Sequence, residues 1–207
     1  MTERLLGRIL GTARAFAKRH NRAGQTPFDP HQFYPAAWTA RQLAQLRPSL
    51  HVDVGSCATE VGVFSAFMPV IFVAGEALQT QLPGLATLAG DVTRLPFPDK
   101  TLVSLSALNV IERVGNGDPD ESLKGLGELQ RVLGYRGSLY LSTLVGRERV
   151  VKARRIFAPE TILRAVPQLR LRRFSYIGDD LLPRDGATLE AAAQQRHACG
   201  LFEFQRA

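Results

Sequence analysis

The stretch Leu50-His51-Val52-Asp53-Val54-Gly55-Ser56-Cys57 decides the fold of this 207-residue chain. Leu50, Val52 and Val54 have strand character, and Gly55-Ser56 are turn residues that follow directly on an acidic position. A helical pattern resumes near Thr59. A strand that runs into a tight glycine turn and then a helix N-terminus is how the first strand of an open α/β sheet delivers its backbone to a ligand.

The residues that follow extend the same architecture. Pro69-Val70-Ile71-Phe72-Val73 is a continuous apolar run, as expected of a parallel strand covered on both faces, and it ends at Ala74-Gly75-Glu76. Leu85-Ala86-Thr87-Leu88-Ala89 reads as a third strand, closed by Gly90-Asp91. The segment between these two strands is too short for a full crossover helix, so one helical layer is expected to be thin there. A fourth strand is expected over residues 102–110. Asp118 or Asp120 then caps a helix running to Leu133, with Leu123, Leu126, Leu129 and Leu133 as its inner stripe. Gly134 and Gly137 flank the turn into a fifth strand over 138–144. The tail reads as a helix over 158–166, a strand over 169–177 broken at Arg172-Arg173, a helical stretch over 189–198 and a last strand over 201–204. Strands alternating with helices and then a terminal strand pair predict an α/β fold: a Rossmann-like, mostly parallel sheet with helices on both faces and an antiparallel C-terminal edge.

Upstream of the first strand, Asp29-Pro30 is a helix start, with Asp as N-cap and Pro in the first turn. This helix is expected to reach Leu46; Pro35 disturbs its first turns, and Tyr34 and Trp38 are expected to pack on the sheet. Residues 2–20 carry Leu5, Leu6, Ile9, Leu10, Ala13 and Phe16 at helical spacing among five basic residues. The chain therefore divides into a basic amphipathic helix and linker (1–28) and an α/β domain (29–207). The apolar stripe of that helix is suited to docking on the domain. Its basic face is suited to an anionic membrane or other anionic partner.

With 45% hydrophobic and 22% charged residues, the composition is that of a globular protein and excludes a disordered chain. No apolar run reaches the roughly 20 residues of a transmembrane helix. Arg8, Arg14 and Lys18 interrupt what would be the apolar core of a secretory signal. Two distant cysteines, Cys57 and Cys199, imply a reducing, cytoplasmic setting. The four histidines have no metal-ligand spacing with each other or with the cysteines, so no metal is expected. A formal net charge of +7 permits an anionic partner without specifying one.

Four segments recur in a known order. Asp53-Val-Gly55, Gly90-Asp91-Val-Thr-Arg-Leu-Pro-Phe-Pro-Asp99, Asn109-Val-Ile-Glu112-Arg113-Val and Glu128-Leu-Gln-Arg131-Val-Leu-Gly-Tyr-Arg-Gly137 together resemble the class I S-adenosylmethionine-dependent methyltransferases over residues 50–145. His51-Val-Asp-Val-Gly-Ser56, Ser104-Leu-Ser106 and Leu139-Tyr-Leu-Ser142 resemble more closely a methyltransferase-like family, domain of unknown function 268, to about residue 178.

The resemblance implies S-adenosylmethionine as cofactor, bound by Asp53, Gly55, Ser56, Cys57, Glu76, Asp91, Val92 and Asn109. Glycine at 55 lets the turn pass close to the cofactor, and amides from Ser56 onward meet its carboxylate. In the family an acid ending the second strand holds the ribose; Glu76 is two residues late and would reach back to it, Asp91 and Val92 flank the adenine, and Asn109 to Glu112 border the transferable methyl group. Glu112 is the one catalytic candidate, as a general base; the competing reading is an ion pair with Arg113 or another arginine. The other residues also have plainer readings: Asp53 and Asp91 as turn residues, Glu76 as a surface carboxylate, Cys57 as a small buried side chain.

The chain departs from the family at Cys57, where the pattern has glycine; at Ala74-Gly75, where it has aspartate; at Arg113, where it has histidine; and at Arg136, where it has a second glycine. The leading expectation is an enzyme methylating a small molecule or glycan precursor. The alternative is a degenerate, pseudoenzyme member of the fold that serves as a binding or regulatory protein partner. Methylation of nucleic acid ranks last, because the chain has no Asn-Pro-Pro-Tyr-like motif after the fourth strand. The basic run from Arg147 to Arg173 reads either as a solvated face or as a site for phosphate or a sugar nucleotide.

Overall fold

The computed structural model describes residues 28–207; the amphipathic pattern of 2–20 lies outside the described residues. In chain order the elements are α1 (Pro30–Leu46), β1 (His51–Val54), α2 (Ala58–Phe64), β2 (Val70–Ala74), β3 (Leu85–Ala89) and β4 (Leu102–Leu108). A kinked 3₁₀ segment, Ile111–Gly117, leads to α3 (Pro119–Val132) and β5 (Leu133–Val145). Then come β6 (Arg149–Val151), β7 (Arg154–Ile156), α4 (Pro159–Ala165), β8 (Leu169–Ile177), β9 (Pro183–Asp185), α5 (Leu189–Ala193) and β10 (Ala198–Arg206).

One eight-stranded sheet has the order β3-β2-β1-β4-β5-β10-β8-β9. The first five strands in that order pair in parallel, and β10, β8 and β9 continue the sheet antiparallel. The expected α/β architecture with an antiparallel C-terminal edge is thus the observed one.

Both faces of the sheet are covered. On one face Leu126, Leu129 and Val132 of α3, Ile162 of α4 and Ala192 of α5 pack on Val52, Val54, Leu105 and Leu139. On the other, Trp38 and Leu43 of α1 and Val61 and Phe64 of α2 pack on Val70, Phe72, Leu108 and Tyr140. Trp38 and Tyr140 meet edge to face at 5.9 Å. Leu126 and Leu129 are wholly buried, and truncating either to alanine would cost about 2–5 kcal/mol.

Local chemistry sets the ends of the elements. Asp29 accepts a hydrogen bond from the His31 amide at 2.9 Å and starts α1, which continues through Pro35 to Leu46. Asp118 caps α3 through the amides of Asp120 and Glu121. No helix separates β2 from β3, as their spacing required.

Three stretches differ from the sequence reading. Strand β5 begins at Leu133, not at residue 138. Leu133 pairs with Leu102 and the ladder then shifts register, with a Cβ at Gly134 or Gly137 falling 2.8 Å from a backbone carbonyl of the β4 side. Helix α5 stops at Ala193, because Ala198 already belongs to β10. The hairpin β6–β7 and the short edge strand β9 lie where no strand was expected. The break at Arg172-Arg173 is real: the β8–β10 register slips between Glu203, which faces Arg173, and Phe204, which faces Leu171.

Candidate functional site

The carboxyl ends of β1 and β4 meet beneath a cavity of about 700 Å³. Its floor is Gly55-Ser56-Cys57 together with Leu108 and Asn109, and its sides include His31 of α1, Glu60 of α2, Glu112-Arg113, Arg154 and His197. Gly55 has φ +71°, in the left-handed region that glycine tolerates, and a Cβ there would stand 3.1 Å from Val110 Cγ1. This turn therefore needs glycine for both its backbone angle and its clearance. Cys57 stands half-buried in the cavity wall and leaves the hollow open.

A polar chain runs under the floor. The Asp53 carboxylate is fully buried and accepts from the Ser56 amide at 3.1 Å, from Ser56 Oγ at 2.7 Å and from Ser106 Oγ. Ser56 Oγ in turn accepts from the Leu108 amide at 2.9 Å, tying the β1 turn to the end of β4. Because Ser106 gives its proton to Asp53, its oxygen accepts from His51 Nε2 at 2.8 Å. His51 Nδ1 is then the unprotonated nitrogen and accepts from Ser104 Oγ at 2.8 Å. Burial holds this imidazole neutral, pushing its pKa down to about 3. Burial likewise pushes Asp53 up to about 6, against the hydrogen bonds from Ser106 and Ser56 that favour the carboxylate. Asp53 is thus the structural support of the turn, one layer below the cavity.

Asn109 is also fully engaged. It adopts φ +56°, donates from Nδ2 to the His31 carbonyl at 2.7 Å and accepts from Ser142 Oγ at 3.1 Å. It closes the cavity floor by clamping α1 to β5.

The walls have a different character. Glu112 is almost fully buried, accepts from Thr143 Oγ1 at 3.1 Å and lies 3.8 Å from Arg113 Nε, and burial raises its pKa. Glu112 thus faces the cavity and touches Arg113. Glu60 is half-buried at the first turn of α2, and burial, then the charge of Asp53, push it up to about 7. It makes no ion pair among the described residues. The rings of His31 and His197 stack with centroids 5.5 Å apart, and His31 Nε2 is buried without a hydrogen-bond partner.

The structure therefore brings Gly55, Ser56, Cys57, Asn109 and Glu112 to one cavity, with Asp53 beneath it. Glu76, Asp91 and Val92 do not line that cavity. Glu76 is exposed beyond β2; Asp91 accepts from the Thr93 amide at 2.8 Å in a local turn; Val92 packs toward Gly125 of α3. The sequence reading missed Glu60, His31, Arg154 and His197 as wall residues. The only hint of any of them was the basic run that contains Arg154.

Solved structures share this fold. The 1,6-didemethyltoxoflavin-N1-methyltransferase of Burkholderia thailandensis, solved with S-adenosylhomocysteine, superposes over 100% of this chain and 91% of its own at TM-score 0.60 and 14% identity. A TehB-like S-adenosylmethionine-dependent methyltransferase from Corynebacterium glutamicum superposes over 95% of this chain and 97% of its own at TM-score 0.56 and 16% identity. The fold is that of the class I methyltransferases. The same class I fold is found in the cyclase SpnF, at TM-score 0.59 and 13% identity over 90% of this chain and 84% of that one. Architecture alone therefore does not assign a reaction. No family model and no curated protein matches the sequence, so the closer likeness to domain of unknown function 268 gains no support from those comparisons.

Proposed function

We propose that this chain is a methyltransferase that binds S-adenosylmethionine in the cavity above Gly55–Cys57 and methylates a small molecule, glycan precursors included. The observation that carries this reading is the cavity itself. It opens at the carboxyl ends of adjacent parallel strands, where open α/β sheets bind ligands, and its volume of about 700 Å³ suits a nucleoside cofactor together with part of an acceptor.

The residues present fit that cofactor. Glu60 is a carboxylate suited to its cationic methionine end, and Phe28 and Leu108 offer apolar surface to the base. When bound, the cofactor supplies an electrophilic methyl group on a sulfonium. Methyl transfer depends chiefly on aligning the acceptor with that methyl group, so the chain's main task is to position and to exclude water. Glu112 is placed to take the acceptor's proton; its buried, upward-shifted carboxyl matches proton uptake nearer neutrality than an exposed glutamate allows.

Calorimetric titration of the full chain with S-adenosylmethionine tests the proposal. Saturable binding is expected, tightening as pH rises through about 7, because Glu60 ionises there and the ligand is cationic. Absence of heat at millimolar ligand would contradict it and favour the degenerate, partner-binding alternative that Cys57 and Arg113 suggest.

A further inference from the structure

The hairpin β6–β7 and the residues before β10 enclose a recess of about 290 Å³, lined by Leu144, Val151, Lys152, Arg154, Ile156 and His197. Leu144, Arg154 and His197 also line the main cavity, so the two are continuous. Every polar side chain of the recess is cationic or an imidazole. Glu112, on the main-cavity side, is close enough to feel the charge of Arg154, which offsets a small part of the rise that burial imposes on it.

The two arginines that open β7 have opposite fates. Arg155 points inward and is fully satisfied: its guanidinium binds Glu148 at 2.5 Å, Ser122 Oγ at 2.9 Å and the Pro119 carbonyl at 2.9 Å, and lies over Phe157 at 4.5 Å. It nails the hairpin to α3. Arg154, pointing the other way by strand alternation, has no hydrogen bond or ion pair among the described residues, and neither has Lys152. Lys152 and Ala153, with φ +48° and +59°, form the tight turn between the two strands. A rigidly anchored hairpin thus presents two unpaired cations to one small recess. Arg113, paired with Glu112 at 3.8 Å, lines the main cavity and not the recess. Two cations lining one small recess with no carboxylate among its lining residues repel one another, and an oxyanion relieves that repulsion with charge-assisted hydrogen bonds.

We propose that the acceptor carries an oxyanion, a phosphate or a carboxylate, and that Lys152 and Arg154 hold this group in the recess under the β6–β7 hairpin. The proposal rests on the reading of the main cavity as the methyl-donor site. It gives the basic run of the sequence a specific use: one arginine anchors, the next binds.

The test uses the full chain, with pyrophosphate and citrate as probes, titrated calorimetrically with and without S-adenosylhomocysteine. Saturable binding of at least one probe is expected, with affinity falling about 10-fold or more in Arg154→Gln and in Lys152→Gln, as for loss of a charge-assisted bond, but not in Arg172→Gln on the exposed part of β8. Preference for pyrophosphate assigns a phosphate, and preference for citrate a carboxylate; either supports the recess. The proposal is overturned if neither probe saturates by about 10 mM, or if Arg172→Gln weakens binding as much as Arg154→Gln. Lys152→Gln, at an exposed turn, decides the matter should Arg154→Gln fail to fold. S-adenosylhomocysteine binding is read in the same samples. Its absence beside intact anion binding overturns the donor-site reading while supporting the anion recess.

Discussion

The floor of the cavity and its walls are both rich in polar and charged residues, yet they are built on opposite terms. Beneath the floor, Asp53, Ser56, Ser106, His51 and Ser104 form a buried chain in which each side-chain donor and acceptor finds a protein partner. On the walls, Arg154 and the Nε2 of His31 have no such partner among the described residues, and Glu60 pairs with no cation there. A buried polar network that satisfies itself fixes a conformation, whereas groups left unsatisfied beside a cavity are free for a ligand. The same residue types therefore serve structure one layer down and recognition at the surface.

This contrast breaks most easily at Asp53. Replacing it by alanine leaves buried donors on Ser56 and Ser106 unpaired and should cost about 3–5 kcal/mol in urea denaturation. A loss below about 1 kcal/mol would mean that the network does not support the fold. Next, Gly55→Ala forces a side chain into a left-handed conformation 3.1 Å from Val110, with an expected loss of about 1–3 kcal/mol by the same measurement.

The pH dependence of stability sharpens the comparison further. His51 has its pKa depressed to about 3 in the folded state, so it contributes stability that is lost as pH falls from its unfolded value of 6.5 toward 3. Asp53 has its pKa raised to about 6, so it contributes stability that is lost as pH rises from its unfolded value of 3.8 through 6. Between about pH 4 and 6 the unfolded chain holds one proton on His51 and the folded chain holds one on Asp53, so the two slopes cancel. Denaturation midpoints of the wild type should owe no slope to this pair across that window. In His51→Gln the Asp53 term stands alone, and stability should fall as pH rises from 4 to 6. An unchanged profile in the variant would show that the two groups do not oppose one another.

The smallest stability effect belongs to the wall. At about pH 4, where the carboxyl is protonated in both states, Glu60→Gln should change unfolding free energy by less than about 0.5 kcal/mol, because the neutral amide keeps an acceptor for the Cys57 backbone. It should nevertheless weaken S-adenosylmethionine and flatten the pH dependence of binding near 7. Equal affinity and an equal pH profile in the variant would remove Glu60 from the site.

Much of the fold was legible because strands buried on both faces write themselves as apolar runs between glycine and proline. Leu85–Ala89, an edge strand with no fully buried residue, was still placed at its observed bounds, and even the bulge at Arg172-Arg173 left its mark in a broken alternation. The hairpin β6–β7 left none. Its strands have three residues each, are rich in arginine, and turn at Lys152-Ala153 where no glycine or asparagine signals a hairpin. The site was legible only where one continuous motif builds it, at Gly55–Cys57. The walls draw on His31, Glu60, Arg154 and His197, which are far apart in the chain and are gathered by the sheet order alone. Glu76 and Asp91 occupy motif positions in sequence, but the cavity lies on the β1–β4 side of them.

Amide hydrogen exchange with and without S-adenosylhomocysteine tests the central claim most directly. The account predicts ligand-dependent protection at residues 55–60 and 109–113, with residues 76 and 91 unchanged. Protection confined to residues 76 and 91, or none at either place, would contradict it.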